Sequence, residues 1–167
     1  MANTTALKRR ITSVKSTRQI TKAMELVAAS KMRRAQDQAR STRDYRDAAE
    51  SILSRLSTVS EVSRHPLFVR RGIKNELLLL ITSDRGLAGA YDSNVLKKLS
   101  ARIEENNKNK VKTHVLSIGK KGGQFASRVE GVNLFGAYPM IVDNPSPADI
   151  RPIITEVLNQ YEAKIVD

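Results

Sequence analysis

The chain has 167 residues, 40% of them hydrophobic and only 4% aromatic, with no Trp and no Cys. That suffices for one modest core plus an extension, and it excludes disulfides, thiolate metal centres and a cysteine nucleophile. Net charge is +12, and up to residue 64 there are fourteen Lys or Arg against six Asp or Glu, a balance that asks for an acidic partner such as nucleic acid, an anionic membrane or an acidic protein surface.

No Gly or Pro precedes Pro66, and the residues before it are mostly strong helix formers. The pattern predicts one helix over residues 6–59, roughly 80 Å long at 1.5 Å per residue. The hundred or so residues that follow are too few to cover such a helix. Its partners are expected to be other chains. Stepping in sevens from Leu7 gives a seam that is apolar at both ends: Leu7, Ile11 and Val14 at one, Ala49, Leu53 and Leu56 at the other. Arg18, Thr21 and Glu25 interrupt it, while Ile20, Met24 and Val27 lie one position back. This is a coiled-coil-type seam with a local shift, not a regular zipper.

Residues 23–29 place apolar side chains in nearly every direction about the axis, so this belt should be enclosed on all sides. It either crosses the middle of its own domain or is gripped by a collar of other subunits. Lys15, Lys22, Arg33 and Arg40 fall on one line down the helix, with Arg18 close by. A solvated face explains such a stripe, and so does an acidic docking surface. Farther on, Asp44, Asp47 and Glu50 alternate with Arg43, Arg46 and Arg55 at i,i+3 and i,i+4 spacing, as on an exposed helix.

Arg64, His65 and Pro66 should end the helix, because the residue before Pro is pushed out of the α region. The continuous apolar run over residues 76–82 reads as a central strand buried on both faces. A loop with Gly86 and Gly89 follows, then a helix over 95–105 capped by Asp92 or Ser93 and broken at Asn106. Residues 113–118 read as a second strand, 119–123 as a Gly-rich turn, 124–128 as a short helix and 132–135 as a weak strand or loop. Asn144, Pro145, Ser146 and Pro147 should open a last helix to about Tyr161, with Ile150, Ile153, Ile154, Val157 and Leu158 on one face. Residues 164–167 look like the start of another strand. Alternating strands and helices imply a Rossmann-like α/β domain with a largely parallel sheet, truncated at its C-terminal end. The expected organisation is a shaft helix over 1–64, a hinge over 65–75 and the α/β domain over 76–167.

No catalytic constellation emerges. The glycines of the first βα loop are spaced G-x-x-G, and GKKGG at 119–123 lacks the trailing Lys-Ser/Thr of a phosphate loop, so plain βα turns explain both better than nucleotide cradles do. Asp84 and Asp92 suit loop and cap positions better than an acid/base pair. His65 and His114 have neither metal-ligand spacing nor an adjacent nucleophile. No cofactor and no metal are expected. A basic helical nucleic-acid binder remains the alternative, weakened because Tyr45 is the only aromatic on the helix to stack on a base.

Two stretches closely resemble the γ subunit of F-type ATP synthase: ITKAMELVAASKMRRA at 20–35, and SDRGLAG at 83–89 followed by Asn94. The resemblance extends over the whole chain in layout. It implies a central rotor shaft and not an enzyme: the N-terminal helix pairs with a C-terminal helix inside the ring of α and β subunits, and the catalytic sites belong to β. The α/β domain then meets the ε subunit and the c ring, and ion flow turning that ring drives the shaft. Carried over residue by residue, Lys22, Met24 and Glu25 match the region facing acidic loops of β. Lys15, Arg18, Ile20, Val27, Arg33 and Arg40 complete the expected shaft contacts. Asp84, Arg85, Gly86 and Gly89 match the loop after the first strand, where Ala88 stands in place of a frequent Cys. No nucleic acid is then involved. The implied location is peripheral, on the cytoplasmic face of the bacterial inner membrane or on the matrix side of an organelle membrane. The partner helix is absent from this sequence.

Overall fold

A computed structural model describes residues 2–58, 65–69, 71–140 and 145–167. The chain forms two compact units, Met1–Phe68 and Val69–Asp167.

In the first unit, α1 spans Ala2–Ser41 and α2 spans Arg43–Leu56. At 1.5 Å per residue, α1 alone is about 60 Å long. The long helix predicted at the N-terminus is therefore present, but it starts earlier, ends earlier and is interrupted at Thr42. Two adjacent hydroxyls bond back to carbonyls at the interruption, whereas Thr12, Thr17 and Thr21 each do so singly within unbroken helix. Ser41 Oγ donates to Gln38 O at 2.9 Å, and Thr42 Oγ1 lies 3.3 Å from Gln38 O and 3.2 Å from Ala39 O. Hydroxyls that bond back to helix carbonyls compete with the backbone ladder and bend or break it. The same chemistry ends α2, where Ser57 Oγ donates to Ser54 O and Thr58 Oγ1 to Arg55 O. The expected stop at Arg64 lies outside the described residues, and Pro66–Phe68 form a single 3-10 turn.

The second unit holds β1 (Asn75–Ile81), α3 (Tyr91–Lys108), β2 (Lys112–Ile118), α4 (Lys120–Ala126), β3 (Val132–Tyr138) and α5 (Pro147–Glu162). The strands form a parallel sheet in the order β1-β2-β3. The α/β class and the parallel sheet are as the sequence predicts. The central strand is not. The apolar run of β1 stands at the end of the three-stranded sheet, with Leu79 and Ile81 about half exposed, whereas in β2 the residues Val115, Leu116 and Ser117 are fully buried. A continuous run of Leu reports hydrophobicity but not position in the sheet order, which tertiary pairing decides.

One sheet face carries Leu78, Leu80, Val115, Val132 and Leu134, packed with Leu99 and Ile103 of α3 and Ala126 of α4. Helix α4 lies close because Gly122 and Gly123 have no side chains: a Cβ on Gly122 would come within 2.7 Å of Leu80 Cδ2 and Ser117 Oγ. On the opposite face, Phe135 is an extra residue between the pairs Val115–Leu134 and Leu116–Gly136. This bulge brings its ring to 4.6 Å, centroid to centroid, from the His114 imidazole.

Helix α3 runs through the asparagines expected to break it. Asn106 is buried, with Nδ2 donating to Glu76 Oε2 and Thr113 Oγ1, so a tertiary network overrides a weak local preference. Helix α4 begins at Lys120, earlier than the expected 124. Helix α5 starts as predicted after Ser146, whose N–H and hydroxyl both donate to Asp149 Oδ2. Of its expected apolar face, Ile153 is buried but Ile154 and Leu158 are exposed. Residues 164–167 form no strand. They turn through Lys164, and Asp167 N donates to Asn75 O beside β1.

Candidate functional site

Two regions carry the residues singled out by the sequence. The first is the surface of α1. From Thr4 onward every side chain of α1 is exposed, including Leu7, Ile11, Val14, Ile20, Met24, Leu26, Val27 and Met32. The reading in which the 23–29 belt crosses the middle of its own domain therefore fails: Met24 is 51% exposed. Lys15, Arg18, Lys22, Arg33 and Arg40 lie along one side of the helix. Ile20, Met24 and Val27 lie roughly 120–180° away at 100° per residue. The candidate contacts thus divide into a basic side and an apolar side, with Glu25 joining the basic one through an ion pair to Lys22 at 3.1 Å. In α2, Arg46 pairs with its sequence neighbour Asp47 at 2.8 Å, and Glu50, four residues on, adds a favourable charge interaction. At that exposure such pairs contribute little.

The second region is the carboxyl edge of the sheet, where parallel α/β folds place their ligands. Hydrogen bonds from backbone amides stitch its ends together: Thr82 N donates to Ile118 O, Gly119 N to Tyr138 O, and Gly122 N to the Thr82 side-chain Oγ1. Gly119 is required here, since its φ is +97° and a Cβ would overlap the Thr82 carbonyl. Asp84 Oδ1 accepts from Lys120 N at 2.8 Å, and its Oδ2 accepts from Met140 N at 2.9 Å. Asp92 accepts from both the amide and the hydroxyl of Ser83, at 2.9 and 2.5 Å. Those bonds hold its carboxyl below the usual carboxylate range. It neither caps α3 conventionally nor serves as a proton donor near neutrality.

Arg85, Gly86, Leu87 and Ala88 form an exposed finger that, with Ser83, Asp84 and Met140, lines an open cavity of about 240 Å³. Leu87 is 93% and Met140 80% exposed, both with left-handed backbone. Neither was picked out from sequence. The Leu87 conformation has no local signal, and Met140 joins the finger only through the fold. Gly86 and Gly89 have open space around them, and Gly89 alone of the two has positive φ.

His114 Nδ1 lies 3.3 Å from Asn133 Nδ2, while its buried Nε2 has no hydrogen-bond partner among the described residues. His65 Nδ1 accepts from Leu67 N at 3.3 Å. No group of three or more His, Asp or Glu that could hold a metal occurs among the described residues. No helix among the described residues is long and apolar enough to cross a membrane.

The fold and these surfaces define a class of chain: a small parallel α/β unit joined in sequence to a long basic helix whose apolar positions are exposed from Leu7 to Met32. The chain belongs to the ATP synthase family, whose model matches residues 3–167. It is 37% identical to the ATP synthase gamma chain of Brevibacillus brevis over 96% of this chain and 56% of that protein. It is 38% identical to the gamma chain of Alkaliphilus metalliredigens, over 96% and 54% respectively. With the gamma chain of Ralstonia nicotianae it shares 34% identity over 100% of this chain and 57% of the relative. The resemblance to γ subunits is borne out. The chain spans a little over half the length of these curated relatives.

Proposed function

We propose that this chain supplies the N-terminal shaft helix and the α/β domain of the central-stalk rotor in a rotary ATP synthase. The observation that carries the reading is the exposure of a long helix from Thr4 to Ser41, apolar positions included. A chain that leaves Leu7, Ile11, Met24 and Val27 in water has surfaces shaped for burial elsewhere. The basic side, Lys15, Arg18, Lys22, Arg33 and Arg40, faces acidic loops of the β subunits. Ile20, Met24 and Val27 pack against the surrounding α/β collar, and Glu25 lies beside Lys22 on the basic side. Catalysis belongs to β. The shaft contributes asymmetry, because its basic and apolar sides differ and rotation presents them in turn to each catalytic subunit.

The Asp84, Arg85, Gly86 and Gly89 loop is a second contact point, and the α/β domain meets the ε subunit and the c ring. Attachment to the membrane is then peripheral, through the complex. The location is the cytoplasmic face of a bacterial inner membrane, or the matrix side in an organelle. The nucleic-acid alternative finds no support: the relatives are gamma chains, and Tyr45 is the lone aromatic on the helix.

Co-expression with α and β subunits tests the reading. The expected result is stoichiometric co-purification, weakened by Lys15, Lys22, Arg33 and Arg40 exchanged together for Gln. Failure to associate, combined with nanomolar, steeply salt-dependent binding to DNA or RNA, would overturn it.

A further inference from the structure

The buried cluster of the α/β unit, Leu80, Leu99, Ile103, Val115 and Ala126, joins the sheet to α3 and α4, and no residue of α5 belongs to it. Outside that cluster the buried apolar side chains are Leu116, on the other face of β2, Ile153 of α5, and Val166 just beyond that helix. Helix α5 buries Ile153 alone and leaves Ile154 and Leu158 exposed. Its carboxyl end is fastened by polar groups instead. The Arg71 guanidinium lies 4.2 Å over the centre of the Tyr161 ring, and its Nη1 donates to Tyr161 O at 2.8 Å. The Tyr161 hydroxyl donates to Val69 O at 3.2 Å. Beyond the helix, Asp167 Oδ2 accepts from Lys74 N at 2.9 Å and from Asn75 N at 3.0 Å. Every one of these partners lies in the stretch that leads into β1.

We infer that α5 and residues 71–74 form one opening unit, latched by Arg71 on Tyr161, that opens while the sheet, α3 and α4 stay folded. Elements that share little apolar burial with a core separate from it at a lower free energy than the core itself unfolds. Arg71 suits the task because a planar guanidinium stacks on a ring and donates a hydrogen bond at the same time. Its charge also complements the carboxyl end of the α5 dipole. The latch joins segments 90 residues apart in sequence. A partner that holds α5 therefore also orders the entry to β1, and strain on that entry loosens α5, since such coupling acts in both directions. Arg71 is a positioning residue here, and this role holds whether or not the chain turns inside a ring.

Native-state amide exchange of the full chain, followed as urea is raised, provides the test. In the wild type, the α5 amides and those of Lys74 and Asn75 exchange through one opening with a shallow urea dependence. The amides of β2 and α3 exchange through a rarer and steeper one, because more surface is exposed. In Arg71→Ala the α5, Lys74 and Asn75 amides exchange about tenfold faster or more, as expected for loss of a charged hydrogen bond and a ring contact. Ile103→Val weakens only the core, so the β2 and α3 amides exchange about threefold faster or more while the α5 amides keep their wild-type rates. The wild-type slopes and this second variant carry the decision if Arg71→Ala does not fold. A single opening shared by α5 and β2 in the wild type would overturn the inference. Faster α5 exchange in Ile103→Val would also overturn it, as would unchanged α5 exchange in Arg71→Ala.

Discussion

At the scale of single residues, the α/β unit depends on a few positions where no substitute fits. Gly119 is one, because a side chain there meets the Thr82 carbonyl and its φ is +97°. Gly119→Ala should destabilise this unit by about 2–4 kcal/mol, read as a lower urea midpoint by tyrosine fluorescence. His114 is another. Burial pushes its imidazole down from the ordinary value, with Lys112 adding to the effect. A lowered folded-state pKa means that the unfolded chain takes the proton first as the pH falls below about 6.5. The His114 contribution to stability is therefore constant above that pH, falls as the pH drops through it, and levels off below the folded-state value. His114→Gln should shrink the loss of urea stability between about pH 7 and about pH 5, the measurement being the difference between variant and wild type. An equal loss in both would show that carboxylates alone set the acid sensitivity. Glu76 is one such carboxylate, lowered by its hydrogen bonds from Arg102, and its contribution disappears at more acid pH.

Among elements, α1 and α2 show how local chemistry divides what propensity would join. Ser41 and Thr42 each offer a hydroxyl to carbonyls one turn back. Replacing both by Ala removes that competition and adds two strong helix formers, at a few tenths of a kcal/mol each. The expected outcome is a small rise in helical circular dichroism and slower amide exchange around residues 40–46. Helix α3 shows the opposite. Its asparagines argue for an end near 106, yet Asn106 is held by Glu76 and Thr113. Asn106→Leu leaves the Glu76 and Thr113 oxygens without that donor. It should cost about 1–3 kcal/mol in urea unfolding, despite adding apolar volume.

For the whole molecule, surplus charge and uncovered apolar surface act in opposite directions. The basic residues of α1 carry one sign in excess, so binding to an acidic partner should weaken as salt rises. Self-association through Leu7, Ile11, Val14 and Leu53 should strengthen with salt, because screening removes the repulsion and leaves hydrophobic burial intact. Sedimentation of the isolated chain at low and high salt separates the two. Ile11→Lys with Leu53→Lys should shift the chain toward the monomer. A monomer at every salt concentration would show that these positions need a heterologous partner.

Several features of this protein follow from the sequence by itself: the helical N-terminus, its excess of positive charge, the α/β alternation, and the γ-subunit resemblance at 20–35 and 83–89. The first three depend on composition or short-range periodicity, which act over a few residues and survive in any fold, and the resemblance rests on the residues of two short motifs. Its belt at 23–29 was also legible, but not what would cover it. Other features required the tertiary structure. It makes β2, not the leucine-rich β1, the central strand, keeps α3 intact through Asn106, and brings Asp84, Lys120 and Met140 together from segments as many as 56 residues apart. The physical reason is the same in each case. A buried polar group or a strand edge is satisfied by whatever the fold places beside it, and that neighbour is distant in sequence.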